Sequence, residues 1–300
     1  MTPSPPAPQA LVELGTTTST QEHARALLRD GAAHGTIVVA RAQTAGRGRR
    51  GRAWVSGPHG LWLSLVLRSD AGLPMTRAPR LPLLAADLVV EVLGAHGRDA
   101  MVKWPNDILV QDPAATAALG PFRKVGGLLL EAVDVDSVGG APRLRSAVLG
   151  LGLNLRVPTG GFPEEIAATA GALWPDSDGD AHAGDADDAH DARRRALALA
   201  LGAALARRLP DDADDDDAFA AARARLTARS ATLGRRVLVE GVCGTARALD
   251  DEGALVVRDD DGVDHVVRAG DVAVLGDGVA AGGERGRRPF APQAARVGPS

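Results

Sequence analysis

The sequence predicts an α+β chain: a mixed β-sheet domain with flanking helices over residues 11–232, then a small SH3-like β-barrel over 233–276. Three observations carry this. Apolar runs of helical period are interspersed with runs of strand period through the first 232 residues. Beyond Leu233 the texture changes to short β segments, "RRVLVE", "GTARALD", "ALVVRD", "DHVVRAG" and "DVAVL", separated by turn residues at close spacing. A length of 300 residues at 45% hydrophobic content is enough for a real core, and with no Tyr, four Phe and four Trp that core must be mostly Leu, Val and Ala.

Residues 1–10 are Pro-rich and read as disordered. "TTTSTQEHARALLRDG" turns into a helix with Ala24, Leu27 and Leu28 on one face and Gly31 as its stop. "TIVVA" (36–40) reads as a buried strand, and "LWLSLVLR" (61–68) as a strand of period two with Leu61, Leu63, Leu65 and Leu67 on one face. Over 80–97 a helical stripe collects Leu81, Leu84, Ala85, Leu88 and Val92, with Pro82 tolerated in the first turn. Strands follow at 100–103, 107–110, 124–133 and 143–157, and helices at 192–209 and 217–230. Residues 277–300 read as a flexible tail.

The formal net charge of −4 conceals a basic remainder. Two runs, 175–191 and 211–217, hold thirteen Asp between them and read as solvated loops; without them the charge is +9, which suits an anionic substrate. A single cysteine, Cys243, excludes an internal disulfide and a cysteine-based metal cluster, and is expected as a buried small residue. No run of about 18 apolar residues exists to span a membrane, and the N-terminus lacks the pattern of a signal peptide. A cytoplasmic location is expected.

"QTAGRGRRGRAW" (43–54) places Gly46, Gly48 and Gly51 in the spacing G-x-G-x-x-G. A dinucleotide-binding turn must open a helix, but loop and then strand follow here, so that reading fails. Four arginines on a glycine-rich segment make a mobile, permanently charged loop whose natural partner is phosphate, since a guanidinium can fork onto two phosphate oxygens. A solvated basic turn and a nucleic-acid contact are the alternatives, the latter lacking interleaved aromatics beyond Trp54. "KWPND" (103–107) is a tight turn between strands; "KVGGLLLE" (124–131) puts a lysine before paired glycines in a strand, where something must approach the backbone closely. "GLGLNL" (150–155) carries Asn154 at a strand end.

Together with "TSTQ" (18–21), these motifs in this order resemble biotin protein ligase, the biotin–[acetyl-CoA-carboxylase] ligase family, from about Leu14 to Leu275. The resemblance implies a fold like that of class II aminoacyl-tRNA synthetases and biotin ligases, with 11–232 as the catalytic domain. It implies ATP and Mg²⁺ as requirements, biotin as substrate and the biotin carboxyl carrier protein of a carboxylase as partner. Biotinyl-5′-AMP forms first, and a carrier lysine then takes the biotin. The first motif starts near residue 16, so the expectation is the ligase-only class without an N-terminal DNA-binding domain, acting without DNA or membrane as a monomer or weak homodimer.

The resemblance also assigns roles. Lys124 is the cation between biotin carboxylate and α-phosphate, and Arg47 and Arg49 clamp biotin and phosphates, with Gly46 and Gly48 supplying close backbone and Gly127 doing so beside Lys124. Ser19, Thr20, Gln21 and Gln43 hydrogen-bond the neutral head of biotin. Trp54 packs near adenine, Asn154 contacts the nucleotide, and Asn106 and Asp107 position ATP, Asp107 also receiving the incoming lysine. Lys103 is either an ATP contact or a strand-end lysine, Gln21 stands where the family has Asn, and His59 in "GPHGLW" changes loop geometry.

Overall fold

Leu and Val alternating with small or polar residues dictate a sheet with two different faces, and the computed structural model shows that sheet. It describes residues 10–113, 115, 119–175 and 183–275. The expected disorder of 1–9, the tail 277–300 and the 176–182 part of the first acidic run lie outside the described residues.

Seven strands form the larger sheet: β1 (Leu11–Thr17), β2 (Ile37–Gln43), β3 (Gly60–Pro74), β4 (Met101–Lys103), β5 (Asp107–Gln111), β6 (Phe122–Val138) and β7 (Ala141–Asn154). Their order is β1-β2-β3-β7-β6-β5-β4, with β1 parallel to β2 and every other pair antiparallel. On β7 the odd positions Leu149, Leu151 and Leu153 join the main core, where α2 (Arg80–Ala95) also buries Leu81, Leu84 and Leu88. Burying each such leucine stabilises by about 1.5–3 kcal/mol. The even positions point the other way. There α1 (Thr20–Arg29) closes a small second core of Ala24, Leu28, Val38, Val66 and Val148, and beyond its first turn the same face carries Gly150, Gly152 and Asn154. "LWLSLVLR" therefore has both faces buried rather than one, because α1 covers Val66 while the leucines meet the main core.

Both acidic readings need correction. A short helix α3 (Glu164–Ala167) precedes α4 (Ala183–Arg208), which begins within the first acidic run rather than after it. The second run builds α5 (Asp211–Asp214) and starts α6 (Asp216–Ala228), Asp215 accepting at 2.9 Å from the Asp217 and Ala218 amides. The charge repulsion expected to keep it a loop is relieved by arginines from elsewhere: Arg208 on Asp212 at 2.6 Å, Arg77 on Asp214 at 2.9 Å and buried Arg80 on Asp216 at 2.7 Å. Strand β1 goes beyond what the sequence predicted: Val12 and Leu14 do alternate with exposed Glu13 and Gly15, but the pattern spans only four residues.

The expected small barrel is a five-stranded antiparallel sheet, β8 (Arg236–Val239), β9 (Val242–Leu249), β10 (Leu255–Arg258), β11 (Asp264–Val267) and β12 (Ala273–Val274), in the order β11-β10-β9-β8-β12. No pairing of β11 with β12 closes it among the described residues. Cys243 is half-buried on β9 rather than fully buried. The sheet is fastened to the KWPND turn: the Trp104 indole N–H donates to Gly253 O at 3.0 Å and the Trp104 amide to Thr232 Oγ1 at 2.9 Å.

Candidate active site

Glycines make the cleft. On the face beside α1, Gly127 of β6 lies opposite Gly152 of β7, and a Cβ at Gly152 would meet the Trp54 ring at 2.8 Å. At Gly150 it would meet Gln21 Oε1 at 2.6 Å. Bare backbone thus lets Trp54 lie against the sheet and leaves a cleft of about 320 Å³. Gly46 is tight for a related reason: a Cβ there would strike Ser56 Oγ at 2.4 Å and Trp54 O at 2.5 Å, so glycine lets the loop fold back on itself.

Strand ends bring the cations in. Lys124 Nζ lies 2.6 Å from Asp107 Oδ1, and Lys103 Nζ 3.3 Å from Asp107 Oδ2. Burial is the largest influence on Asp107 and pushes its pKa up, but the two ammonium groups together outweigh it and hold the carboxyl below its usual range. Lys124 also sits 5.1 Å from the Trp54 ring centroid, a cation–π contact. Lys103, left open by the sequence, belongs to this cluster.

Loop arginines line the same cleft. Arg49 Nη1 donates to Asn106 Oδ1 at 2.9 Å and to Gly270 O at 3.3 Å. Asn106 in turn donates to Leu128 O at 2.8 Å, which fixes its amide. Arg47 pairs with Glu22 on α1, and Gly48 N donates to Arg52 O at 2.8 Å across the loop. Asn154 donates to Gly171 O at 3.0 Å.

A chain of hydrogen-bonded neutral groups also lines the cleft. Gln43 Oε1 accepts from the Thr20 amide at 2.8 Å and from Thr20 Oγ1 at 3.1 Å, and its Nε2 donates to Ser56 Oγ at 2.9 Å. Ser64 Oγ lies 2.9 Å from Thr20 Oγ1 and 3.1 Å from Gln21 Oε1. Gln21 Nε2 donates to Val148 O at 3.0 Å, so its longer arm reaches sheet backbone. Three buried polar atoms on cleft residues have no partner: Ser19 Oγ, Trp54 Nε1 and His59 Nε2. Such atoms are costly unless a ligand bonds them. Burial, and after it the charges of His190 and Arg156, hold the His59 pKa below its usual value.

All the sequence-predicted site residues but Gly46 line this one cleft, Gly46 supporting it from the loop base. Residues 14–141 match the Biotin/lipoate A/B protein ligase family and 232–275 the Biotin protein ligase C terminal domain. The biotin--[acetyl-CoA-carboxylase] ligase of Paracoccus denitrificans is 35% identical over 232 residues, 74% of this chain and 83% of that protein. The chain belongs to the biotin protein ligase family. A second relative of this family member, the bifunctional ligase/repressor BirA of Bacillus spizizenii, is 38% identical over 167 residues, 55% of this chain; the match spans only 46% of BirA's length. In fold, the biotin protein ligase of Aquifex aeolicus, solved in complex with biotin and ATP, superposes with a TM-score of 0.64 over 88% of this chain and 98% of that one at 24% identity.

Within this biotin protein ligase fold the cleft also contains residues that sequence reasoning missed. Ser64 had a legible signal, a hydroxyl inside a leucine alternation. Phe162 and Ile166, on the segment after β7, and Asp271, in the connection between β11 and β12, carry none, because only the tertiary fold brings them to the cleft.

Proposed function

We propose that the chain activates biotin with ATP to give biotinyl-5′-AMP and pyrophosphate, then transfers biotin to a lysine of a biotin carboxyl carrier protein. The observation that carries this is one cleft with two chemistries: the Lys103–Asp107–Lys124 cluster with the loop arginines, and a set of neutral hydroxyls and amides. A neutral ureido head suits the Ser19, Thr20 and Gln43 end. A carboxylate approaching a triphosphate needs cations between them. Two unit charges at 4 Å interact by about 4 kcal/mol at an effective dielectric of about 20, and about 1.4 kcal/mol is tenfold in rate.

Lys124 stands at that junction, with Arg47 and Arg49 closing from the loop and Gly46, Gly48 and Gly127 allowing close backbone. Trp54 and Asn154 form the wall for the nucleotide, and Asn106 orients Arg49. Asp107, kept ionised by its lysines, orients the incoming carrier ammonium better than it could deprotonate it. Among the described residues no cluster of His, Cys, Asp or Glu could cage a metal, so Mg²⁺ enters as part of the MgATP substrate, held by phosphates and water.

The test is to mix purified protein with a carrier domain, ATP, Mg²⁺ and either biotin or lipoate, and to weigh the carrier. The expected result is the mass of one biotinyl group on the carrier lysine with biotin alone. Modification by lipoate instead, or salt-dependent oligonucleotide binding without pyrophosphate release, would contradict the reading.

A further inference from the structure

Four arginines crowd positions 47–52, and the proposed reaction uses Arg47 and Arg49. Arg50 and Arg52 are left over, and both turn to the five-stranded sheet. Arg50 pairs with Glu240 and lies 3.7 Å from Asp271; Arg52 pairs with Asp271. Among the described residues the non-glycine residues at positive φ are Arg50 at 56° and Glu240 at 47°. The two left-handed backbones are the two ends of one ion pair. Glu240 and Gly241 form the two-residue connection between β8 and β9, with Val239 facing Val242. Such a turn favours Asn, Asp or Gly at its first position. Glutamate there, like arginine at 50, goes against local preference, and strain of this kind gathers at clamps and switches. The contact also extends to the cleft: Gly270, where a Cβ would meet Glu240 Cγ at 2.8 Å, gives its carbonyl to Arg49 at 3.3 Å.

We propose that Glu240 is a positioning residue: acting through Arg50, it fastens the glycine–arginine loop to the C-terminal sheet and so holds the loop over the cleft while the acyl-adenylate waits for its carrier. This rests on the ligase reading above. Both side chains are about half exposed, 52% and 46%, so the fastening is weak and reversible, as a loop that must reopen requires.

Glu240→Asn tests it. Asparagine tolerates the left-handed turn, so strain falls while the charge is lost. The variant should melt no earlier than the parent. Without ligands, trypsin should cut its loop at 47–52 about two- to fivefold faster, and with biotin and MgATP it should release biotinyl-5′-AMP to solution in similar excess per pyrophosphate formed. Raising salt from about 0.1 to about 1 M should loosen the parent's loop by a larger factor than the variant's, which keeps the Arg47–Glu22 and Arg52–Asp271 pairs. The exchange Arg50→Glu with Glu240→Arg should restore retention of the adenylate. Earlier melting, or cleavage and release no faster than the parent's, overturns the proposal. A parent that forms no pyrophosphate overturns the ligase reading instead, because the trypsin comparison needs neither biotin nor ATP.

Discussion

The cleft and the loop beside it carry cations of two kinds, and they are built differently. Lys103 and Lys124 stand on strand ends, with side chains 11% and 31% exposed, and share Asp107, itself 16% exposed. Arg50 and Arg52 ride on a glycine loop at 52% and 61% exposure and pair with surface carboxylates on the turns of the C-terminal sheet. Strand backbone holds a charge where bonds are made; loop backbone lets a charge come and go. The proposed reaction, which first brings two anions together and then lets a third molecule in, needs both kinds.

Changing each kind separately sharpens the contrast. Lys124→Ala should have the largest effect, slowing pyrophosphate release by about a hundred- to a thousandfold, the scale of losing one well-placed electrostatic donor. Arg49→Gly should still make adenylate but lose it early, because its charge-assisted bonds to Asn106 and Gly270 go. The sign of that is about tenfold more non-specific biotinylation of a bystander protein; no leakage beyond the parent's would erase the distinction between loop and strand.

Acid should produce the smallest change. Asp107 is depressed in the folded state, so its pairing with the lysines stabilises the fold above the unfolded carboxyl value of about 3.9. That contribution is lost as pH falls through the lower folded value. Chemical denaturation of parent and Asp107→Asn between about pH 3 and pH 6 should show curves that draw together toward the acid end. Curves separated by a constant amount would mean that the carboxylate's charge is not what the lysines hold.

Much of this was legible in the sequence, for physical reasons that differ by element. The leucine alternation of β7 is a strand signal because buried leucines repay one face, and the glycines between them already marked a place where something must lie close to the backbone. Pairing of "KWPND" with "KVGG" was harder: the motifs announced function, while the shared carboxylate between their lysines needed β5 and β6 in register. The glycine–arginine loop read as mobile and cationic, but the partners of Arg50 and Arg52 lie 190 and 219 positions along the chain, beyond any local pattern. The 211–217 run forms helix against the solvated-loop expectation because tertiary structure brings arginines to its carboxylates.

The most direct test of the central claim is a crystal structure of the protein grown with biotin and a non-hydrolysable ATP analogue. Lys124 Nζ is expected within hydrogen-bonding reach, about 3 Å, of both the biotin carboxylate and an α-phosphate oxygen, with the neutral end of biotin at Ser19, Thr20 and Gln43. A structure in which both ligands bind and Lys124 stays on Asp107, touching neither, would contradict the account.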